Sequence, residues 1–384
     1  MDFRLSKEQE DIKKAAREFA EGEFPQVAKE CDQEEKMDME LLRKARELGF
    51  VGVYIPEEYG GPGFGFFENA LIVEEFWRID PGLGQAINSV TFGSAILIAY
   101  ANEDQKRKYL PPLAEGDAIL ATAITEPNAG SDVTSTQTNA LRDGDEYVIN
   151  GSKIFITNGT LADNIITYCK THPDEPDRHK QFSCIIVEKD REGFEANKLK
   201  DKLGIRASDT AELSFNNVRV PVENLIGNEK DGFWQILHLF NRERITVCAQ
   251  ATGLAQGALE QAIKHITQRE QFGKKIGSFQ AIRFKIAEMA TLVEAGRSLY
   301  YRAASMLDSG KEDHALVAMA KWFCAQNAVT VAQESLQLHG GYGFLNEYDI
   351  ARFYRDSKIV EIYEGTKEME KILIANSLLG RPDK

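Results

Sequence analysis

The feature that most constrains this chain is a change of patterning near residue 120. Before it, apolar residues recur at helical spacing. Ile12, Ala15, Ala16, Phe19 and Ala20 fall at i, i+3, i+4, i+7 and i+8, the stripe of an amphipathic helix. "MELLRKARELGF" repeats that stripe and closes on Gly49, "PEEYGGPGFG" breaks it, and helical patterning returns from Phe67 to Ala114. Then the period drops to two. "EYVINGSKIFIT" sets Asn150-Gly151 between two β-rich runs, which predicts a hairpin turn there. "NIITYCK", "FSCIIVEKD" and "AELSFNNVRVP" continue the strand signal, with Ala211, Leu213 and Phe215 alternating. From Gly232 the helical period resumes, and Ile282, Ile286, Met289, Val293 and Tyr300 trace one face of a long helix. "CAQATGLAQGALEQA" is dense in Ala and Gly, which lets helices approach closely. The order predicts an α+β multidomain fold. A helical domain occupies residues 1–120, a small β domain 121–225 and a second helical domain 226–384, with a cleft where the three meet.

Composition narrows the partners. A chain of 384 residues with 43% hydrophobic content supports a sizeable core. The net charge of −14 argues against nucleic acid or an anionic membrane as the main partner, and leaves room for a protein with a basic docking face. Cys31, Cys169, Cys184, Cys248 and Cys324 are scattered and odd in number, with no CxxC, which predicts a reduced, cytoplasmic setting. The histidines form no HxxxH pattern, so no metal site is expected. The start "MDFRLSKEQEDIKK" lacks the apolar region of a signal peptide, and no apolar run reads as long enough to cross a membrane.

Several segments concentrate polar chemistry. "TAITEPNAGSDVTS" carries hydroxyls and free N–H groups around a Pro-Asn-Ala-Gly turn just before the expected strands, suited to a polar ring edge or a phosphate, or simply to a capped turn. "FITNG" sets Phe155 beside Thr157 at a strand end, able to flank a planar cofactor or merely to turn the chain. "QLHGGYGF" follows no strand and so is no Rossmann loop. "REQFGKKIGSFQ" joins two helices with Arg, Lys and Gly, as either a diphosphate contact or a solvated basic loop. In "SKIVEIYEGTKEMEKI", Ile350, Phe353, Tyr354 and Ser357 lead into Tyr363 on one helical face, Gly365 supplies left-handed backbone, and Thr366 is a candidate N-cap. Glu364 therefore stands at a joint between helices, either as a surface acid near a helix start or as a carboxylate aimed into a cleft.

Taken in order and spacing, these segments resemble the acyl-CoA dehydrogenase family over essentially the whole chain. "AITEPNAGSDVTS" is similar to its first signature and "QLHGGYGFLNEYDIARFYRD" to its second. "IYEGT" is similar to the segment that bears its catalytic glutamate. "PEEYGG", "RASDTAEL", "VPVENLIG" and "REQFGKKIGSFQAI" also sit where the family has them. The resemblance implies a helical domain, a β domain and a four-helix bundle, with FAD bound between them and between subunits of a homotetramer. It implies that Thr122, Ala123, Ile124, Thr125, Gly130 and Ser131 face the flavin ring and pyrophosphate, and that Phe155, Ile156 and Thr157 pack on the ring. Phe155 stands where many members carry tryptophan. Arg269, Phe272, Phe279, Gln280, Gln337, Gly340 and Gly341 would hold the adenosine end, partly from a neighbouring subunit, and Thr366 and Glu368 would touch the cofactor near the second helix start.

The implied reaction is α,β-dehydrogenation of an acyl-CoA thioester, with Glu364 as the base that removes the α-proton. Ser131, Asn241 and Arg244 would hold the CoA arm, with Asn88, Thr91, Tyr363 and Gly365 beside the acyl group. Some members carry their base at the position of Glu243 instead; here both positions are acidic, and we read Glu364 as the base and Glu243 as a second, pocket-shaping acid. No arginine lies in "GQAINSVTFGSA" to bind a distal carboxylate, so a short, branched or alicyclic acyl group is expected. With no iron–sulfur, haem or NAD fingerprint in the chain, the electrons require a separate acceptor, by resemblance an electron-transferring flavoprotein. An oxygen-using oxidase and a non-catalytic flavin- or acyl-CoA-binding scaffold are the alternatives. Intact Glu364, Thr125 and Thr157 speak against the scaffold.

Overall fold

The computed structural model describes residues 4–381. Six helices come first: α1 (Lys7–Glu34), α2 (Met39–Glu47), α3 (Phe66–Ile79), α4 (Pro81–Asn88), α5 (Ser94–Tyr100) and α6 (Glu103–Glu115). Their starts follow local chemistry. Ser6 and Gln9 close a capping box on α1, Asn102 and Gln105 do the same on α6, and Asp38 caps α2. Ala16, Phe19 and Ala20 are buried as the stripe predicts, whereas Ala15 faces solvent at the edge of that stripe.

Seven strands follow: β1 (Leu120–Ala123), β2 (Asn139–Asp143), β3 (Glu146–Thr157), β4 (Asn164–Lys170), β5 (Phe182–Glu188), β6 (Phe194–Lys198) and β7 (Thr210–Pro221). They form one mixed sheet in the order β1-β4-β2-β3-β7-β6, with β5 on the other side of β4 from β1. Contrary to expectation, the "TAIT" stretch does not precede the sheet: Thr122 and Ala123 are already in β1, paired in parallel with β4. Nor is Asn150-Gly151 a hairpin turn. β3 runs straight through it, and the β2–β3 turn sits at Gly144 instead. The Asn-Gly pair marks a register shift against β7. Gly151 has φ +146°, and a Cβ there would lie 2.6 Å from the Thr138 Cα, so glycine is demanded by a close strand crossing rather than by a turn.

The second helical part is α7 (Gly232–Gln268), α8 (Gln280–Asp308), α9 (His314–His339), α10 (Asp349–Ser357) and α11 (Lys367–Leu379). The "REQFGKK" link, expected as a diphosphate contact or a solvated basic loop, holds a small hairpin of β8 (Glu270–Gln271) and β9 (Lys274–Lys275), turned by Phe272 and Gly273 at positive φ. α7 packs on α9, α3 and α8, and α11 lies on α9. The small residues of α7 work as read: a Cβ on Gly253 would meet the Glu74 carbonyl at 2.1 Å, and one on Gly257 the Arg78 carbonyl at 2.0 Å.

Two expectations about helices change. The helical stretches Pro81–Tyr100 and His314–Phe344 are, by length and composition, long and apolar enough to cross a membrane. Their apolar windows are 78% and 61% buried inside the protein, because α4, α5 and α9 are core helices. The helix leading to Glu364 also ends earlier than its apolar spacing suggests. α10 stops at Ser357, a 3₁₀ turn covers Lys358–Glu361, and Tyr354 points outward while Ile350, Phe353 and Ser357 are buried.

Candidate active site

One pocket forms where α3, α4, the end of β3, α7 and the joint before α11 converge. Tyr54, Asn69, Gln85, Asn88, Ser89, Phe92, Thr157, Glu243, Thr246, Val247, Gln250, Tyr363 and Glu364 line it. Both candidate acids thus face the same space from different elements.

The joint that presents Glu364 is backbone-driven. Glu364 itself adopts φ +54° and Gly365 φ +103°. Left-handed backbone at a glutamate costs about 1 kcal/mol and has to be held by its surroundings. Arg244 Nε donates to the Glu364 carbonyl at 3.2 Å, Lys321 Nζ donates to the Gly365 carbonyl, and Thr366 Oγ1 accepts from the Met369 N–H at 3.4 Å to start α11. The Glu364 N–H reaches no backbone carbonyl among the described residues, and its Oε2 is buried without a partner. The joint therefore leaves a donor and an acceptor uncommitted within one residue.

Electrostatics prepare both acids to hold protons. Burial, reinforced by the nearby Glu243 charge, pushes the Glu364 carboxyl up to about 8, against the opposing pull of Arg244 and Lys321. Burial raises Glu243 to about 7. Glu243 Oε1 accepts from the Tyr54 hydroxyl at 3.3 Å, which in turn accepts from Ser94 Oγ at 3.2 Å. Gln250 Nε2 donates to Gln85 Oε1 at 2.9 Å, and the Tyr363 hydroxyl donates to Gln250 Oε1, closing one wall with amides.

Of the residues singled out from sequence, Asn88, Thr157, Glu243, Tyr363 and Glu364 line the pocket. Asn241 and Arg244 lie beside it, joined by Arg244 Nη1 donating to Asn241 Oδ1 at 3.0 Å. Thr91 is buried and does not line it. Thr122 spends its hydroxyl on the Phe92 carbonyl at 3.1 Å, Ala123, Ile124 and Ile156 are buried, and the Ile124 carbonyl accepts from Lys153 Nζ at 2.8 Å, so their side chains face no ligand. The Thr125 carbonyl accepts from the Ile154 N–H at 2.9 Å. Gly130 and Ser131 are exposed at the tip of their turn.

The Phe155 ring is 65% exposed on backbone at φ +62°. Arg269 stacks over Tyr342, and Phe272, 93% exposed, meets Phe279 edge-on. Gln280, Gln337, Gly340, Gly341 and Glu368 are exposed and line no part of this pocket. Sequence reasoning missed Tyr54, Gln85, Gln250, Lys321 and Glu370. A lone polar residue inside an apolar helix, as in "CAQATG" and "AMAKWF", is the signal that would have found Gln250 and Lys321.

Three family models match the chain: the acyl-CoA dehydrogenase N-terminal domain over residues 6–117, the middle domain over 121–218 and the C-terminal domain over 230–379. The chain is 42% identical to the acryloyl-CoA reductase (NADH) of Anaerotignum propionicum, over 99% of this chain and 97% of that protein. It is 41% identical to the short-chain specific acyl-CoA dehydrogenase of Clostridium acetobutylicum, over 98% of this chain and 100% of that one. Among solved structures, a chain from work on the electron transferring flavoprotein of Acidaminococcus fermentans and flavin-based electron bifurcation superposes with a TM-score of 0.95. That chain is 42% identical, with 99% of this chain and 100% of that chain covered.

Proposed function

This chain belongs to the acyl-CoA dehydrogenase family, and on that footing we propose that it removes the α-proton of a short, branched or alicyclic acyl-CoA with Glu364 as base. It is an FAD-dependent oxidoreductase acting on CH–CH bonds. The observation that supports the base assignment is the joint itself: Glu364 lines the pocket with one carboxylate oxygen unpartnered and its N–H bound to no backbone carbonyl among the described residues.

The residues present fit the cofactor. The open Phe155 ring stands beside pocket-lining Thr157, and Gly130, Gly340 and Gly341 have no heavy atom within 4 Å of where a Cβ would sit, leaving space for a diphosphate to approach backbone. Phe155 and Thr157 would flank the ring, the Thr122–Ser131 turn its polar edge, and Arg269 with the Gln337–Gly341 loop the adenosine end, supplied partly by a neighbouring subunit of a homotetramer. FAD, when bound, supplies the acceptor for the hydride that leaves the β-carbon.

The protein's own work is proton chemistry. A thioester α-proton is a poor acid, so the carbonyl oxygen needs donors where enolate charge develops. The Glu364 N–H, which reaches no backbone carbonyl among the described residues, would be one. The Glu364 carboxylate takes the proton, and a carboxyl raised to about 8 is a far stronger base than an exposed one. Glu243, held by Tyr54, shapes the pocket and adds to the burial that raises the Glu364 carboxyl. No arginine or lysine lines the pocket among the described residues, which suits an acyl group without a distal carboxylate. The closed amide wall of Gln85, Gln250 and Tyr363 supports a short chain.

Reoxidation is assigned to an electron-transferring flavoprotein, and a cytoplasmic setting is consistent with five free, buried cysteines. The similarity to an acryloyl-CoA reductase supports a second reading, in which the same site runs toward reduction of an enoyl-CoA. A panel of saturated and α,β-unsaturated acyl-CoAs tests both. Anaerobic bleaching of the yellow protein by saturated short acyl-CoAs supports dehydrogenation. Reoxidation of the reduced protein by enoyl-CoAs alone, with no bleaching by any saturated thioester, supports reduction.

A further inference from the structure

Behind the Glu364 joint lies an acid that the chemistry above does not use. Glu370, on the first turn of α11, is completely buried. Its Oε1 is 2.9 Å from Arg244 Nε, yet neither of its oxygens is aligned to accept a hydrogen bond among the described residues. A carboxylate in that position is costly to bury unless cations offset it. Two cations are at hand. Arg244 comes from α7 and Lys321, itself fully buried, from α9.

Each cation also donates to the joint, Arg244 to the Glu364 carbonyl and Lys321 to the Gly365 carbonyl. These are the peptide units on either side of Gly365. The acid is packed directly against that turn, since a Cβ on Gly365 would come within 2.3 Å of Glu370 Oε1. One buried acid therefore lies against Arg244 and within the electrostatic reach of Lys321, the two cations whose donors grip the strained backbone that carries Glu364.

We propose that Glu370 is a positioning residue for Glu364: its charge keeps Arg244 and Lys321 at the joint, and their two hydrogen bonds hold the left-handed backbone that turns the Glu364 carboxylate toward the substrate α-carbon and its N–H toward the thioester carbonyl oxygen. The proposal rests on Glu364 being the base, so its test reads the base alone. Loss of deuterium from the α-carbon of a labelled acyl-CoA reports proton abstraction without cofactor turnover. A wild-type protein that exchanges no α-deuterium refutes the base assignment, and this proposal with it.

Given exchange in the wild type, the comparison is between Glu370→Gln, which keeps the shape and removes the charge, and Glu370→Asp, which keeps the charge and loses a methylene. Positioning by charge predicts that Glu370→Gln lowers the maximal exchange rate at least about tenfold at nearly unchanged half-saturating acyl-CoA, and that Glu370→Asp retains more of the rate. A packing role predicts the reverse order, with Glu370→Gln near wild type and Glu370→Asp impaired, and that result overturns the proposal. Lys321→Met provides a check independent of Glu370 folding effects. It removes one grip and is expected to lower the maximal rate in the same way; exchange at the wild-type rate overturns the proposal.

Discussion

Glu243 and Glu364 face one pocket, the first from the interior of α7 beneath Tyr54, the second from a left-handed joint that Arg244, the residue after Glu243, holds by its carbonyl. Adjacent residues of one helix thus serve opposite ends of the problem. Glu243 adds negative charge to the pocket, and Arg244 anchors the backbone that carries the base.

The pH profile follows from the two carboxyls. The Glu364 carboxyl is raised to about 8 and Glu243 to about 7, both chiefly by burial. A base works ionised, so kcat/KM for a short acyl-CoA is expected to rise with pH through the neutral range and level off above about 8, because kcat/KM reports the free protein. The pair titrates as a unit, which broadens the limb. A profile flat between pH about 6 and 9 is what an unshifted carboxyl near 4.5 would give, and it would mean that burial does not raise the base in the free protein.

Lys153 ties the sheet to the proposed flavin-facing turn. Its Nζ, fully buried, lies 2.9 Å from Glu126 Oε1 and donates to the Ile124 carbonyl at 2.8 Å, while Glu126 also accepts from the Gln137 and Thr138 N–H groups. Lys153→Met leaves Glu126 buried with no cation. A loss of about 3 kcal/mol in a denaturant titration is expected, together with weaker FAD retention. A stability loss below about 0.5 kcal/mol would mean that the backbone donors alone carry Glu126.

Arg269 stacks on Tyr342 at the surface, outside the pocket of its own chain. If that surface completes the cofactor site of a neighbouring subunit, Arg269→Ala lowers the FAD content of the purified protein while the circular dichroism of the chain stays native. Sedimentation is expected to give a tetramer. A stable monomer with a full complement of FAD contradicts the shared site.

Electron delivery to a separate flavoprotein is expected to depend on charge. The chain carries −14 net, and small transient contacts between redox partners are commonly steered electrostatically. Turnover with the flavoprotein is expected to fall as salt rises, with bleaching by substrate alone little changed. Equal salt sensitivity of both steps, or fast turnover on oxygen with no partner present, favours the oxidase.

Much of this organisation was legible because period and punctuation are local. The stripes of α1 and α8, the small residues of α7 and the cap at Thr366 are properties of short windows, and each is where the residues indicate. Asn150-Gly151 misled because two different demands select glycine. A tight turn needs positive φ, and a close strand crossing needs the absence of a Cβ; at Gly151 the neighbour that decides is Thr138, brought there by the β2–β3 pairing. The membrane-length apolarity of α9 was missed, since its apolar residues are interrupted by polar ones in sequence; the helix is apolar because it packs on α7, α8 and α11. In the pocket, Glu364 was visible as an acid at a helix joint, its role coming with the family resemblance, and Glu243 was visible through that resemblance alone. The roles of Lys321 and Glu370 were not, because Lys321 serves a carbonyl that another helix joint presents and Glu370 pairs with Arg244 from another helix.

The central claim is that Glu364 is the base. Its most direct test is anaerobic bleaching of the FAD-loaded protein by a short acyl-CoA, compared among the wild type, Glu364→Gln and Glu243→Gln. Glu364→Gln is expected to retain FAD and bind the thioester but to bleach slower by a factor of about 100 or more, whereas Glu243→Gln stays within about tenfold of the wild type. Near-normal bleaching by Glu364→Gln, with bleaching lost in Glu243→Gln, would contradict the account and move the base to α7.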